Sequence, residues 1–280
     1  MTLECSGNSG NARIMNGLVG NAVWTGLSLA TILKECRVKS EAREVVFLGM
    51  DSEQEKKWEA ANTEFASPHG WSIFVQDALA PEVLLAFAMN GKPLTADQGF
   101  PLRLILPGWY GMAQVKWLTR IEVIDRRYEG RHMARNYQSL RALTTPERTV
   151  WLDTSIARTN LKSVIARVTR RRSGELFQHK VAGAAWGGPA RIERVEVQLD
   201  GGPWRPAQID YRHGDFAWLL WSLDWNDAQP GQHVLVSRAT NSRGEIQATR
   251  EELRRKLISN REDSAQWPRS VTIEAAKLGG

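Results

Sequence analysis

Gly99-Phe100-Pro101-Leu102-Arg103-Leu104-Ile105-Leu106-Pro107-Gly108-Trp109-Tyr110-Gly111 sets one arginine inside an otherwise apolar run. Leu102 to Leu106 reads as a buried strand, and Pro107-Gly108 stops it with a turn. A guanidinium in such a run is costly to bury unless an anion faces it. Arg103 therefore predicts either a buried ion pair, with Asp51 as the candidate, or a bound anion. Upstream, Val45-Val46-Phe47-Leu48 reads as a second buried strand, ended by Gly49. Between the two, Val75 to Met89 has helical periodicity around Pro81. Leu29, Ile32, Leu33 and Cys36 recur at helical spacing, which predicts Cys36 to be a packed core thiol. Residues 1 to about 125 thus read as a mixed α/β half.

Downstream the pattern changes. Residues 126 to 160 are polar and basic and read as a connecting segment. From about 161 short apolar runs are separated by Gly, Pro and Asp turns. Ile192, Val195, Val197 and Leu199 lead into Asp200-Gly201-Gly202, followed by Ala217 to Trp225 and His233 to Ala239. That spacing predicts an antiparallel β-sandwich. Arg250 to Ile258 reads as a charged helix.

The chain's 280 residues suffice for two domains. Its 42% apolar and 24% charged content is ordinary for a soluble globular protein. No run of eighteen apolar residues predicts a membrane span, and Met1-Thr2-Leu3-Glu4-Cys5 has neither the basic nor the apolar region of a signal peptide. The charge of +6, from 37 basic and 31 acidic residues, favours anions generally. The basic runs Arg170-Arg171-Arg172 and Arg254-Arg255-Lys256 lack interleaved aromatics, so no nucleic-acid partner is predicted. Two cysteines make neither a disulfide framework nor a CxxC site. The five histidines form no HxH or HxxxH pair, so no zinc site is expected. Cys5 stands apart: Ser6-Gly7-Asn8-Ser9-Gly10-Asn11 after it is a loop-forming run, and a cysteine at the mouth of such a loop can reach a ligand.

Leu3-Glu4-Cys5-Ser6-Gly7-Asn8 resembles the molybdenum-ligand loop of sulfite oxidases. Trp24-Thr25-Gly26-Leu27-Ser28-Leu29, nineteen residues on, is similar to the family's W-x-G-x-x-L segment. Phe47-Leu48-Gly49-Met50-Asp51 and Leu84 to Gly91 follow. The run from Gly99 to Gly111, continuing to Val115-Lys116-Trp117-Leu118, is the longest and most specific match. Ala185-Trp186, Arg191 to Val197, Asp200-Gly201-Gly202 and Trp204 resemble the family's dimerisation domain. The resemblance covers nearly the whole chain. It implies an α+β protein: a molybdopterin-binding domain over residues 1–145, then an immunoglobulin-like β-sandwich dimerisation domain over 146–280. It also implies that the molybdopterin domain lacks its first part, because the family carries a further segment before the cysteine loop. On that expectation the chain as it stands binds the cofactor poorly.

The same resemblance implies roles. Cys5 is the metal ligand. Asp51, Gln98, Arg103, Gln114, Val115 and Lys116 contact the pterin and its phosphate, with Gln98 standing where the family often has histidine. A small sulfur oxyanion needs arginine and a hydrogen-bonding tyrosine. Trp24 walls that pocket, Tyr137 is its phenol with Tyr128 as the alternative, and Arg191 reaches in from the second domain. Gly10 occupies the place where some sulfite oxidases carry a further arginine. The implied cofactor is Mo-molybdopterin. The implied reaction is oxidation of sulfite or a related anion by a homodimer. A cytochrome c-type acceptor on another chain takes the electrons, since no C-x-x-C-H heme motif is present. The compartment is the bacterial periplasm if an upstream signal exists. Two alternatives stay open: a molybdoenzyme of the same fold reducing a sulfoxide-type substrate, and a cofactor-free remnant that keeps the dimerising sandwich.

Overall fold

A computed structural model of the chain describes residues 1–9, 17–57, 63–173, 176–188, 190–256 and 261–274. The chain divides into two compact units. The first comprises Met1, Leu3–Ser6 and Ala22–Ala157; the second comprises Thr2, Gly7–Asn21 and Arg158–Gly280. Gly10 and Asn11 lie outside the described residues.

In the first unit, Trp24–Ser28 pairs antiparallel with Leu84–Met89, which also pairs with Lys92–Pro93 and Arg103–Ile105. A second sheet has Glu44–Lys57 between Thr63–Phe74 and Leu118–Ile124. Val45, Val46 and Phe47 are all buried, so both faces of their strand are covered. Val45 and Phe47 join Trp71, Ile73, Leu85, Leu104 and Leu106 in one core, against which helix Leu29–Glu35 lays Leu29 and Leu33. Each such side chain contributes about 1.5–3 kcal/mol on full burial.

Four local expectations are corrected. Gly49 does not end its strand, which runs on to Lys57 through a register shift at Leu48/Gly49. A Cβ on Gly49 would collide with the Asp51 side chain and the Lys116 carbonyl, so the glycine marks a close approach rather than a stop. The periodic run from Val75 yields a helix only over Val75–Ala78; past Pro81, Leu84–Met89 is a strand paired on both edges. Proline disfavours helix at the residue before it, and ladder pairing then decides the rest. Cys36 is exposed, because the helix closes at Glu35 and Arg37 turns the chain with a φ of 52°. Residues 126 to 160 hold a π-helix, His132–Asn136, and a hairpin of Gln138–Thr144 with Thr149–Ser155. That hairpin lies across the 145/146 boundary of the sequence reading and belongs to the first unit.

The second unit is a sandwich of two four-stranded antiparallel sheets. One orders Lys162–Ser173, Leu176–Trp186, Leu219–Trp225 and Gln208–Arg212; the other orders Trp204–Pro206, Ile192–Leu199, Gly231–Asn241 and Arg269–Ile273. Inward residues of both sheets, among them Val181, Trp221 and Trp225 facing Val195, Val197 and Leu235, make one core. Period-2 alternation in Ile192–Leu199 buries Val195, Val197 and Leu199. Asp200-Gly201-Gly202 turns the chain, with Asp200 and Gly201 at positive φ. The charged helix spans Arg250–Lys256. Among the described residues no helix is long and apolar enough to cross a membrane.

Candidate functional site

A cavity of about 240 Å³ in the first unit is lined by Leu3 to Ser6, Arg103, Gly111, Met112, Gln114 and Tyr137. Glu4 and Ser6 are buried, whereas the Cys5 thiol between them is exposed. The Cys5 backbone passes close over the 3-10 turn Gly111–Ala113: a Cβ on Gly111 would lie 3.3 Å from the Glu4 carbonyl oxygen and 3.7 Å from Cys5 Cα. The glycine is what lets the two segments approach.

Arg103 is 7% exposed in the strand Arg103–Ile105. Its Nη1 donates to the Gln98 carbonyl at 2.7 Å and its Nη2 to the Gln114 carbonyl at 3.3 Å. Its Nε is buried and has no hydrogen-bond partner among the described residues. The guanidinium carbon lies 4.9 Å from the Trp24 ring centroid, and Trp24 Nε1 is likewise buried without a partner among the described residues. Of the two readings of Arg103, the ion pair with Asp51 is not formed: the guanidinium donates to carbonyls, and Asp51 is exposed. Burial alone pushes the Arg103 pKa down to about 10, which leaves it charged at neutral pH. The cavity thus presents a desolvated cation that carbonyl dipoles hold and no described carboxylate neutralises.

Gln114 lines the cavity, but its amide is engaged in the loop itself. Leu106 N–H donates to its Oε1 at 2.7 Å, and its Nε2 donates to the Leu106 and Trp109 carbonyls at 2.6 and 3.2 Å. Val115 is fully buried, and its carbonyl accepts from Leu104 N–H at 2.8 Å. Lys116 Nζ donates to the Asp97 carbonyl at 3.0 Å and lies 4.0 Å from the Trp117 ring centroid. Gln98, Val115 and Lys116 therefore sit beside Arg103 on the backbone but do not line the cavity. Tyr137 closes the π-helix and does line it, with its ring edge-on to Trp71 at 6.3 Å. Tyr128 lines a different hollow, with Glu122, Arg126 and Arg127. Burial raises the Tyr128 pKa, and Glu122 adds to the rise. Arg191 is an exposed residue of the second unit, just before Ile192–Leu199; it depresses the Arg212 pKa, behind burial as the main cause. Glu4, Ser6 and Met112 were not singled out in the sequence. Their signal is adjacency alone: two flank Cys5, and one follows the Gly111 of the longest motif.

Two family models match. Oxidoreductase molybdopterin binding domain covers residues 1–132 and Mo-co oxidoreductase dimerisation domain covers residues 153–262. Mitochondrial sulfite oxidase of Drosophila melanogaster is 33% identical over 252 residues, covering 82% of this chain and 42% of that protein. Sulfite oxidase of Arabidopsis thaliana is 30% identical over 282 residues, covering 88% of this chain and 68% of that protein. Among solved structures, the sulfane dehydrogenase SoxCD from Paracoccus pantotrophus superposes with a TM-score of 0.77 at 26% identity, covering 98% of this chain and 70% of that one. The match spans less than half the length of the animal sulfite oxidases. With both domain models in order, and a plant sulfite oxidase matched over two thirds of its length, the chain belongs to the sulfite oxidase family of molybdopterin-dependent oxidoreductases.

Proposed function

We propose that this chain holds Mo-molybdopterin through Cys5 and oxidises a small sulfur oxyanion such as sulfite, passing electrons to a cytochrome c-type protein. The observation that carries the reading is one cavity shared by an exposed thiol and a desolvated guanidinium that forms no ion pair with a described carboxylate. The residues present fit the cofactor. A thiolate is the soft donor that suits a metal already bearing sulfur ligands. Arg103 Nε and Trp24 Nε1 are buried donors lacking acceptors among the described residues, and anionic oxygens supply such acceptors.

When bound, the molybdenum centre supplies two-electron exchange with oxo transfer. The chain's own residues do the rest. Cys5 offers its sulfur as ligand, and Arg103 holds negative charge in a low-dielectric setting where it is worth more than in water. Tyr137 gives the cavity a phenol that donates to or accepts from a bound oxyanion. Trp24 lies beside Arg103, its ring centroid 4.9 Å from the guanidinium carbon, and offers the cation an aromatic face. Asp51, Gln98, Gln114, Val115 and Lys116 are assigned to the pterin side. Sulfite and water give sulfate, two protons and two electrons. The second unit, matched by a dimerisation model, joins two copies in a homodimer.

The test is to purify the chain from a cofactor-producing host beside Cys5→Ser. Molybdenum per chain and sulfite-dependent reduction of cytochrome c are measured on both. Molybdenum and sulfite turnover in the wild type, both lost in the variant, support the proposal. Molybdenum with turnover only in the direction of sulfoxide reduction replaces the substrate, and no molybdenum in any preparation rejects the proposal.

A further inference from the structure

Lys162, the first residue of the strand Lys162–Ser173 in the second unit, is 1% exposed. Lysine is almost never buried so fully without partners. Its Nζ donates to the Asn8 carbonyl at 2.8 Å and to the Asp263 carbonyl at 2.7 Å. Its cross-strand neighbour Trp186 places a ring centroid 5.9 Å from the same nitrogen. Asn8 follows Cys5 by three residues and is held twice, since its side-chain Oδ1 also accepts from the Leu18 N–H at 3.0 Å. Ser6, Asn8 and Ser9 are all buried, while Cys5 is exposed.

We propose that Lys162 is a positioning residue for the Cys5 sulfur: its ammonium pins the loop that follows the cysteine. The inference rests on Cys5 being the metal ligand. Three residues of chain reach at most about 10–11 Å, so an anchored Asn8 restricts where Cys5 can stand. A ligand must be held within about 0.5 Å of its working position, and an exposed thiol needs that constraint from its flanks. The Gly111 turn supplies it on one side, through Glu4 and Cys5. Lys162 supplies it through the chain, by holding Asn8 three residues on. An ammonium suits the task because it carries three donors and reaches carbonyls from segments far apart in sequence.

The experiment compares full-length wild type, Lys162→Met, Lys162→Arg and a matched control, Arg269→Met. Arg269 also clasps two carbonyls in the second unit, those of Ile165 and Ala166, without touching Asn8. Hydrogen exchange of residues 3–9, read by mass spectrometry on cofactor-free protein, should quicken about tenfold in Lys162→Met. It should stay near the wild-type rate in Arg269→Met and in the conservative Lys162→Arg. Molybdenum per chain, from a cofactor-producing host, should fall in step in Lys162→Met alone. Unchanged exchange at 3–9, equal quickening in Arg269→Met, or faster exchange with undiminished molybdenum each overturns the proposal. If Lys162→Met does not fold, Lys162→Gln, which keeps an amide donor, carries the same comparison. A wild type that never loads molybdenum sinks the enzymatic reading, while the exchange data still decide whether Lys162 anchors the loop.

Discussion

Replacing Cys5 by serine keeps a small polar group at an exposed position and removes the thiolate. Each unit should therefore keep its circular dichroism and melting temperature while bound molybdenum falls to background. Cys36→Ser should change neither the melting temperature nor the bound molybdenum, because that thiol is exposed at a helix end; surface changes of this kind stay within about 0.5 kcal/mol. The periodicity that suggested a packed Cys36 was right about Leu29 and Leu33 and failed at the last position, where the helix had already closed. Arg103 was legible for a sound reason: a cation among leucines needs an explanation, and the structure supplies carbonyls and an unsatisfied Nε. Arg103→Gln removes the charge and should weaken cofactor retention by roughly 1.5–3 kcal/mol, about ten- to hundredfold. Fluorescence of the released pterin measures it. Lys162 could not be found this way, because its acceptors are backbone carbonyls 154 and 101 residues distant and no side-chain pattern announces them.

At the scale of elements, the 3-10 turn Gly111–Ala113 sets the distance between the core and the cysteine segment. Gly111→Val puts branched carbon where the Glu4 carbonyl and Cys5 Cα already crowd, so the segment must move. The expected cost is about 1–3 kcal/mol, read by denaturant titration, with molybdenum retention falling as well. In the sandwich, His233 joins the turn at Asp200 to the strand Gly231–Asn241. Its Nδ1 donates to Asp200 at 2.6 Å and its Nε2 to the Gln229 carbonyl at 2.7 Å, so both nitrogens carry protons. The Asp200 bond raises the His233 pKa first, and the Gln229 bond adds to the rise. The bond from His233 lowers the Asp200 pKa, helped by the Val234 N–H. The pair therefore stabilises fully between about pH 4 and about pH 6.5, the unfolded values. Its contribution fades as pH rises through the elevated His233 pKa, and as pH falls through the depressed Asp200 pKa. The gap in denaturation midpoint between wild type and His233→Gln should be widest near pH 5 and shrink as pH rises through the elevated His233 pKa; a gap independent of pH would refute the linkage. Strands with clean alternation, such as Ile192–Leu199, were readable in sequence, whereas Leu84–Met89 was not. Its six apolar residues have no period of two, and only pairing on both edges makes them a strand.

For the whole molecule, light scattering on the full chain should give twice 31.5 kDa; a monomer at high concentration counts against the homodimer. Of the tryptophans of the second unit, Trp221 and Trp225 are buried in its core and Trp186 is buried as well, whereas Trp204, Trp218 and Trp267 are partly exposed. Trp151 is 43% exposed on the hairpin of the first unit. The chain passes between the two units after Met1, after Thr2, after Ser6, after Asn21 and after Ala157. That path has a consequence in time. A ribosome adding about 5–20 residues per second makes Asn8 154 residues before Lys162, whose ammonium holds it, and Asp263, the other carbonyl on that ammonium, 101 residues later still. For something on the order of tens of seconds, Asn8 has been made but lacks the lysine that holds it. The loop behind Cys5 can take its final form only once Lys162 and Asp263 have been made, so on the proposed function loading of a metal at Cys5 follows that point.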